Sequence, residues 1–135
     1  MEAADIFEAA KKIQDDLVAH RRTLHKNPEV GSHLPHTTEY VMQQLKALGY
    51  EPVRLCDSGI VATITGQNTG RCILLRADMD ALAVTEAAQL DFHSVNGNMH
   101  ACGHDMHTAM LLGTAALLQK FRSELQGTVK PSSSG

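Results

Sequence analysis

From Asp105 to Phe121 the chain is apolar on almost every side, with Met106, Ala109, Met110, Leu111, Leu112, Ala115, Ala116, Leu117 and Leu118 distributed around the turns of a helix. A helix without a polar face has to be buried, so the rest of the chain must supply a surface for it to cover. Three β-rich runs can do so: Pro52 to Leu55, Ile60 to Thr65 and Cys72 to Leu75. They are separated by Asp57-Ser58-Gly59 and by Gly66-Gln67-Asn68-Thr69-Gly70, whose glycines and amides suit turns, and the second of these predicts a hairpin. Gly127-Thr128-Val129-Lys130 starts a further strand. Two helices precede the sheet. Ile6, Phe7, Ala10, Ile13, Leu17, Val18 and Leu24 recur at spacings of three and four, which predicts one amphipathic helix from Ala3 to Lys26, stopped by Asn27-Pro28. Thr37 or Thr38 then caps a helix with Tyr40, Val41, Leu45 and Leu48 on one face, ended by Gly49. The expected class is α/β, with helices packed on a mixed sheet across residues 1–130. Pro131-Ser132-Ser133-Ser134-Gly135 reads as a flexible tail or a cloning scar.

At 135 residues the chain forms one domain at most. A formal net charge of -3 offers no basic footprint for nucleic acid, and no run approaches the length of a membrane span. Three cysteines, Cys56, Cys72 and Cys102, are an odd and sparse set, which argues against a disulfide framework and for a reducing, cytoplasmic setting. No Cys-x-x-Cys spacing supports a redox role. The first residues lack the basic stretch and apolar run of a signal peptide.

The chemistry concentrates just ahead of the apolar helix. Met99-His100-Ala101-Cys102-Gly103-His104-Asp105-Met106-His107 places a thiol, three imidazoles and a carboxylate within a short stretch. These are side chains that a borderline-soft divalent ion accepts, and Gly103 lets the backbone bend so that Cys102 and His104 converge. In an extended segment His100, Cys102 and His104 would share one face. Asp105 reads as the N-cap of the following helix, with a metal role as the lesser alternative. His107, one turn into that helix, either contacts the site or is buried and hydrogen-bonded.

Four separated motifs carry a resemblance: Leu24-His25-Lys26-Asn27-Pro28-Glu29, Arg76-Ala77-Asp78-Met79-Asp80-Ala81-Leu82, the Cys102-Gly103-His104-Asp105 element, and His107-Thr108-Ala109-Met110. Together they resemble the amidohydrolase branch of the metallopeptidase family that includes carboxypeptidase G, aminoacylase, hippurate hydrolase and the auxin-conjugate hydrolases, from about Leu17 to Lys130. Ala83 stands where that family commonly has proline, and Leu34-Pro35-His36 replaces a usually acidic stretch. The resemblance implies metal-assisted hydrolysis of the amide bond of N-acyl amino acids or small peptides, at two divalent ions, zinc or manganese. It implies that Cys102 and His104 are ligands. Asp80 then orients a ligand, with Asp78 sharing the task or capping a turn. It further implies that the general-base glutamate, a further acidic ligand, two more histidines and a dimerising lid domain lie beyond Lys130. On that reading the chain is an N-terminal part, inactive alone.

His25 reads as structural, a helix stop packed near the site. His33 and His36 read as solvated, and Cys56 and Cys72 as small core residues. Two other functional classes compete. One is a non-catalytic metal-binding or interaction module that keeps the Cys-Gly-His element. The other is a cysteine hydrolase, disfavoured because Cys102 and its histidine would be sequence neighbours, whereas such pairs normally meet from distant parts of a chain.

Overall fold

A computed structural model describes all residues, Met1–Gly135. The N-terminal helix expected as one piece is two, α1 (Ala3–Lys12) and α2 (Gln14–Lys26), broken at Ile13. The charges explain the break. Lys11 and Lys12 sit in the last turn of α1 and Asp15 and Asp16 in the first turn of α2, each where the helix dipole favours that sign. The next helix, α3 (Pro35–Ala47), starts before the threonines expected to cap it. Pro35 needs no acceptor for its nitrogen, and the Glu29 carboxylate accepts from the Thr37 and His36 amides at 2.7 and 3.3 Å, so a loop residue does the capping. Thr37 and Thr38 are buried within the first turn.

Five strands form a mixed sheet: β1 (Val53–Leu55), β2 (Gly59–Val61), β3 (Ile64–Thr65), β4 (Cys72–Asp78) and β5 (Thr128–Ser134). The hairpin lies at the first turn, where β1 and β2 pair antiparallel with Leu55 opposite Gly59. The hairpin expected at the second turn does not form. β2 and β3 run end to end along one side of β5, antiparallel to it, and β4 lies parallel on the other side. The loop between β3 and β4 wraps the start of β5: Gly66 and Gly127 bond through backbone at 2.8 Å, and the Thr128 amide donates to the Arg71 carbonyl at 2.9 Å. The last strand is thereby drawn between two segments that are sequence neighbours.

Residues 131–134, expected as a flexible end, complete β5. Val129, Pro131 and Ser133 alternate inward, and the Ser133 hydroxyl is satisfied by the Ala77 carbonyl at 2.9 Å, so a serine is tolerated between strands.

The crossover from β4 to β5 runs through α4 (His104–Lys120), as a parallel pair requires. α4 packs on β4 and β5, α3 packs on β2 and on α4, and α1 and α2 lie against α4. Gly113 marks the close approach of α2, since a Cβ there would sit 2.8 Å from Leu17 Cδ1. Leu34, Val41, Leu45, Tyr50, Ile60, Ala62, Ile64, Met79, Leu112, Ala115 and Val129 form the core. Tyr50 donates its hydroxyl to the Ala115 carbonyl at 2.8 Å, and burial pushes its pKa up to about 12. One flank of α4 departs from the expectation of burial all round: Met106 and Met110 are about half exposed. Cys56 and Cys72 are also on the surface rather than in the core. No helix is long and apolar enough to cross a membrane.

Candidate metal centre

The C-terminal end of β4 is where separated motifs meet. Beyond Asp78 the chain stays tied to its neighbours: the Met79 amide donates to the Ser134 carbonyl and the Ala81 amide to the Glu29 carbonyl. Leu82 and Met99 then exchange both backbone hydrogen bonds at 2.9 Å, which closes residues 83–98 into a loop with a narrow neck. The neck returns residues 100–104 to Asp80. Gly103, at φ 84°, takes the left-handed conformation as α4 begins, a backbone state that disfavours any side chain.

His104 opens α4 with its ring aimed at Asp80. The Nδ1–H is within 3.0 Å of both the Asp80 carbonyl oxygen and its Oδ1. A carboxylate on Nδ1 fixes the ring and leaves Nε2 uncommitted, the arrangement used to orient a metal-binding imidazole. Cys102, two residues away, is exposed and unpaired. His107 is exposed, its ring 5.9 Å from that of His104, so the buried alternative does not hold.

The other residues are placed differently from the linear reading. Asp78 turns toward Arg76, with which it pairs at 2.6 Å, while its carbonyl accepts from Thr108 at 3.0 Å. It does not reach His104. Gly103 rather than Asp105 is the N-cap. Asp105 is buried one residue into α4, where Oδ2 accepts from Arg21 Nε at 2.9 Å and faces His25 Nδ1 at 2.8 Å, and Oδ1 accepts from the Met106 amide. His100 does not share a face with Cys102 and His104: it is 4% exposed, and neither ring nitrogen has a partner. Burial lowers its pKa, against the pull of Asp105. Nowhere in the chain do three His, Cys, Asp or Glu side chains converge as a ligand set. Neither the Cys102 thiol nor His104 Nε2 is engaged by another side chain.

Behind these donors lies a group that the sequence did not disclose. His25, packed near the site as its helix-end position suggests, also meets Glu86 through Nε2 at 2.8 Å, and Glu86 accepts from the Ser94 amide at 2.6 Å. These bonds, the His25 contact foremost, lower the Glu86 pKa. Phe92 sets its edge or face against the His25 ring with centroids 5.6 Å apart and lies under the guanidinium groups of Arg21 and Arg22. Asn96 donates to the Pro28 carbonyl at 2.9 Å. No local signal marks Glu86, Arg21 or Phe92, which stand outside the motifs. His33 and His36 are exposed as expected, His33 pairing with Asp57 at 2.8 Å.

Known proteins share both this sequence and this architecture. Residues 74–131 match Peptidase family M20/M25/M40. An N-acyl-L-amino acid amidohydrolase of Geobacillus stearothermophilus is 39% identical over 132 residues, covering 96% of this chain and 36% of the relative. A Bacillus subtilis protein described as a dinuclear metal binding peptidase from the M20 family superposes with a TM-score of 0.82 at 42% identity, over 89% of this chain and 35% of that one. A candidate aminohydrolase from methicillin resistant Staphylococcus aureus gives a TM-score of 0.92 at 34% identity, over 98% of this chain and 34% of that one. The chain spans about a third of the length of each of these relatives. The match to that family's sequence is confined to residues 74–131, and the fold is the one seen in the dinuclear metal binding peptidase of Bacillus subtilis.

Proposed function

We propose that this chain supplies one side of a two-ion amidohydrolase centre, with Cys102 and His104 as ligands, and that the whole protein hydrolyses the amide bond of N-acyl amino acids or small peptides. The observation that carries the reading is the Asp80 to His104 Nδ1 contact, which holds a proton on that nitrogen and leaves Nε2 free, two residues along the chain from an exposed thiol. The amidohydrolase and dinuclear peptidase descriptions of the relatives support the same reaction class. Zinc or manganese, when bound, would polarise the amide carbonyl and acidify a water.

The carboxylates around the site argue that the general base comes from elsewhere in the whole protein. Asp80 is engaged by His104, Asp78 by Arg76, Asp105 by Arg21 and His25, and Glu86 by His25 and Ser94. None is both adjacent and free to take a proton from water. The chain alone therefore does not turn over substrate and holds metal weakly, since catalytic zinc sites use about three protein ligands. Three free, exposed cysteines support a reducing compartment, which we take to be the cytoplasm, and the lid domain implied by the resemblance would make the whole protein a dimer.

Titration with Zn²⁺ or Co²⁺ tests the ligand assignment. Cys102→Ser and His104→Ala are each expected to weaken binding at least about tenfold, the scale of losing a ligand or its support, while Cys56→Ser and Cys72→Ser leave it unchanged. Equal loss in all four variants, or no binding by the unaltered chain, overturns the assignment. Turnover of N-acetyl-methionine by the 135-residue chain, abolished by a chelator, overturns the external base.

A further inference from the structure

Three side chains meet under the 83–98 loop with their polar atoms turned toward one another and away from water. His25 is 2% exposed and the Asp105 and Glu86 side chains 1% each, with Arg21 reaching in from the rim. His25 Nδ1 lies 2.8 Å from Asp105 Oδ2, and His25 Nε2 lies 2.8 Å from Glu86 Oε1. A neutral imidazole has one N–H and one lone pair, and an ionised carboxylate has only lone pairs. With a neutral ring, one of these two contacts would set lone pair against lone pair out of reach of water. Either the ring or one carboxyl must carry the extra proton.

The surroundings decide which. Asp105 also accepts from Arg21 Nε and from the Met106 amide, and Glu86 also accepts from the Ser94 amide at 2.6 Å. With donors already gathered on both carboxylates, neither needs a proton of its own to complete its hydrogen bonds, which leaves the ring to take it. Charge balance agrees: Asp105 and Glu86 are matched by Arg21 and His25 only when His25 is charged. We propose that His25 is a buried imidazolium, the centre of a charge-neutral clamp that fastens the first turn of α4 to the 83–98 loop.

The clamp reaches the candidate metal centre through the backbone alone. Asp105 follows His104 in the first turn of α4, and Glu86 and Ser94 hold the loop whose neck delivers residues 100–104. His25 is thus a positioning residue. The remaining groups facing it are His100, with ring centroids 6.5 Å apart and neither nitrogen engaged, and Phe92, which also contacts the Arg21 and Arg22 guanidinium groups. Neither makes a hydrogen bond to the His25 ring, whose two nitrogens are taken by Asp105 and Glu86. His25, Asp105 and Glu86 meet without metal at Cys102 and His104, so this proposal and the ligand assignment fail separately.

Nitrogen NMR of the 135-residue chain, labelled in its histidine rings, reads the charge directly. The His25 signals are those lost in His25→Gln. At pH 7.5 both His25 ring nitrogens are expected to be protonated; a single unprotonated His25 nitrogen overturns the proposal. Glu86→Gln keeps the shape and removes one charge. In that variant the ring is expected to lose its second proton at pH 7.5, and amide exchange at Ser94 and His107 to accelerate at least about tenfold with Leu118 unchanged. A ring that loses its proton while His107 exchange stays the same refutes the positioning role. Should Glu86→Gln fail to fold, the wild-type spectrum still decides the charge, and Ser94→Pro, which removes a donor from Glu86, replaces it as the exchange test, read at the His107 amide alone.

Discussion

Between α3, α4 and the sheet, Leu34, Val41, Leu45, Ile60, Ile64 and Leu112 pack with no charged group among them, whereas under the 83–98 loop the buried side chains are His25, Asp105, Glu86 and His100. The first interior is held by area removed from water, so its stability falls in proportion to what is cut away. The second is held by a closed set of donors and acceptors. Removing one member leaves the others charged and unpartnered, so its response is closer to all or none. Both lie against α4, one toward its middle and one at its start.

The sharpest way to break this contrast is Asp105→Ala, which strands His25 and Arg21 together. A loss of about 4 kcal/mol in urea denaturation is expected, the range for uncovering a buried charge. A loss near that of an exposed ion pair would show that the cluster is solvated. Leu112→Ala, in the apolar interior, should cost roughly 3 kcal/mol, and the deficit should shrink when a larger apolar residue refills the space. Glu29→Ala removes the acceptor for the α3 amides, and about 1 kcal/mol should go with it in the same assay.

Acid sharpens the comparison from another side. Because the folded Glu86 pKa lies below its ordinary 4.5, its contribution is complete above that value and fades as pH drops through the lower folded pKa. Stability measured from pH 6 downward should therefore decline less steeply in Glu86→Gln than in the parent. Parallel acid profiles would mean that Glu86 is not ionised by its partners. The smallest effect belongs to Cys102→Ser, which should alter stability by less than about 0.5 kcal/mol because the thiol is exposed, even though the same change should abolish a metal ligand.

The apolar interior was legible in the sequence because periodicity is a local property: Tyr40, Val41, Leu45 and Leu48 announce a helix face, and Gly49 its end. Where the sequence misled, a distant partner decided the outcome. α3 is capped by a loop carboxylate rather than by its own threonines, and β5 runs between strands expected to form a hairpin. The break at Ile13 was locally encoded, in lysines followed by aspartates, but in charge rather than in apolar spacing. The same division runs through the site. Asp80 and His104 lie inside motifs and meet as those motifs suggest, whereas the contacts of His25 with Glu86 and of Arg21 with Asp105 span 61 and 84 residues of chain. No spacing rule reaches that far.

The paired hydrogen bonds between Leu82 and Met99 make the loop they close a lasso with a fixed knot. Whatever happens to the rope between Ala87 and Asp91, the knot keeps the distance from Asp80 to His104, and loop-closure entropy rises only slowly with added length. Variation in size and composition there is insulated from the site's geometry. The chain can change what it presents to an incoming molecule without rebuilding the atoms that would hold an ion.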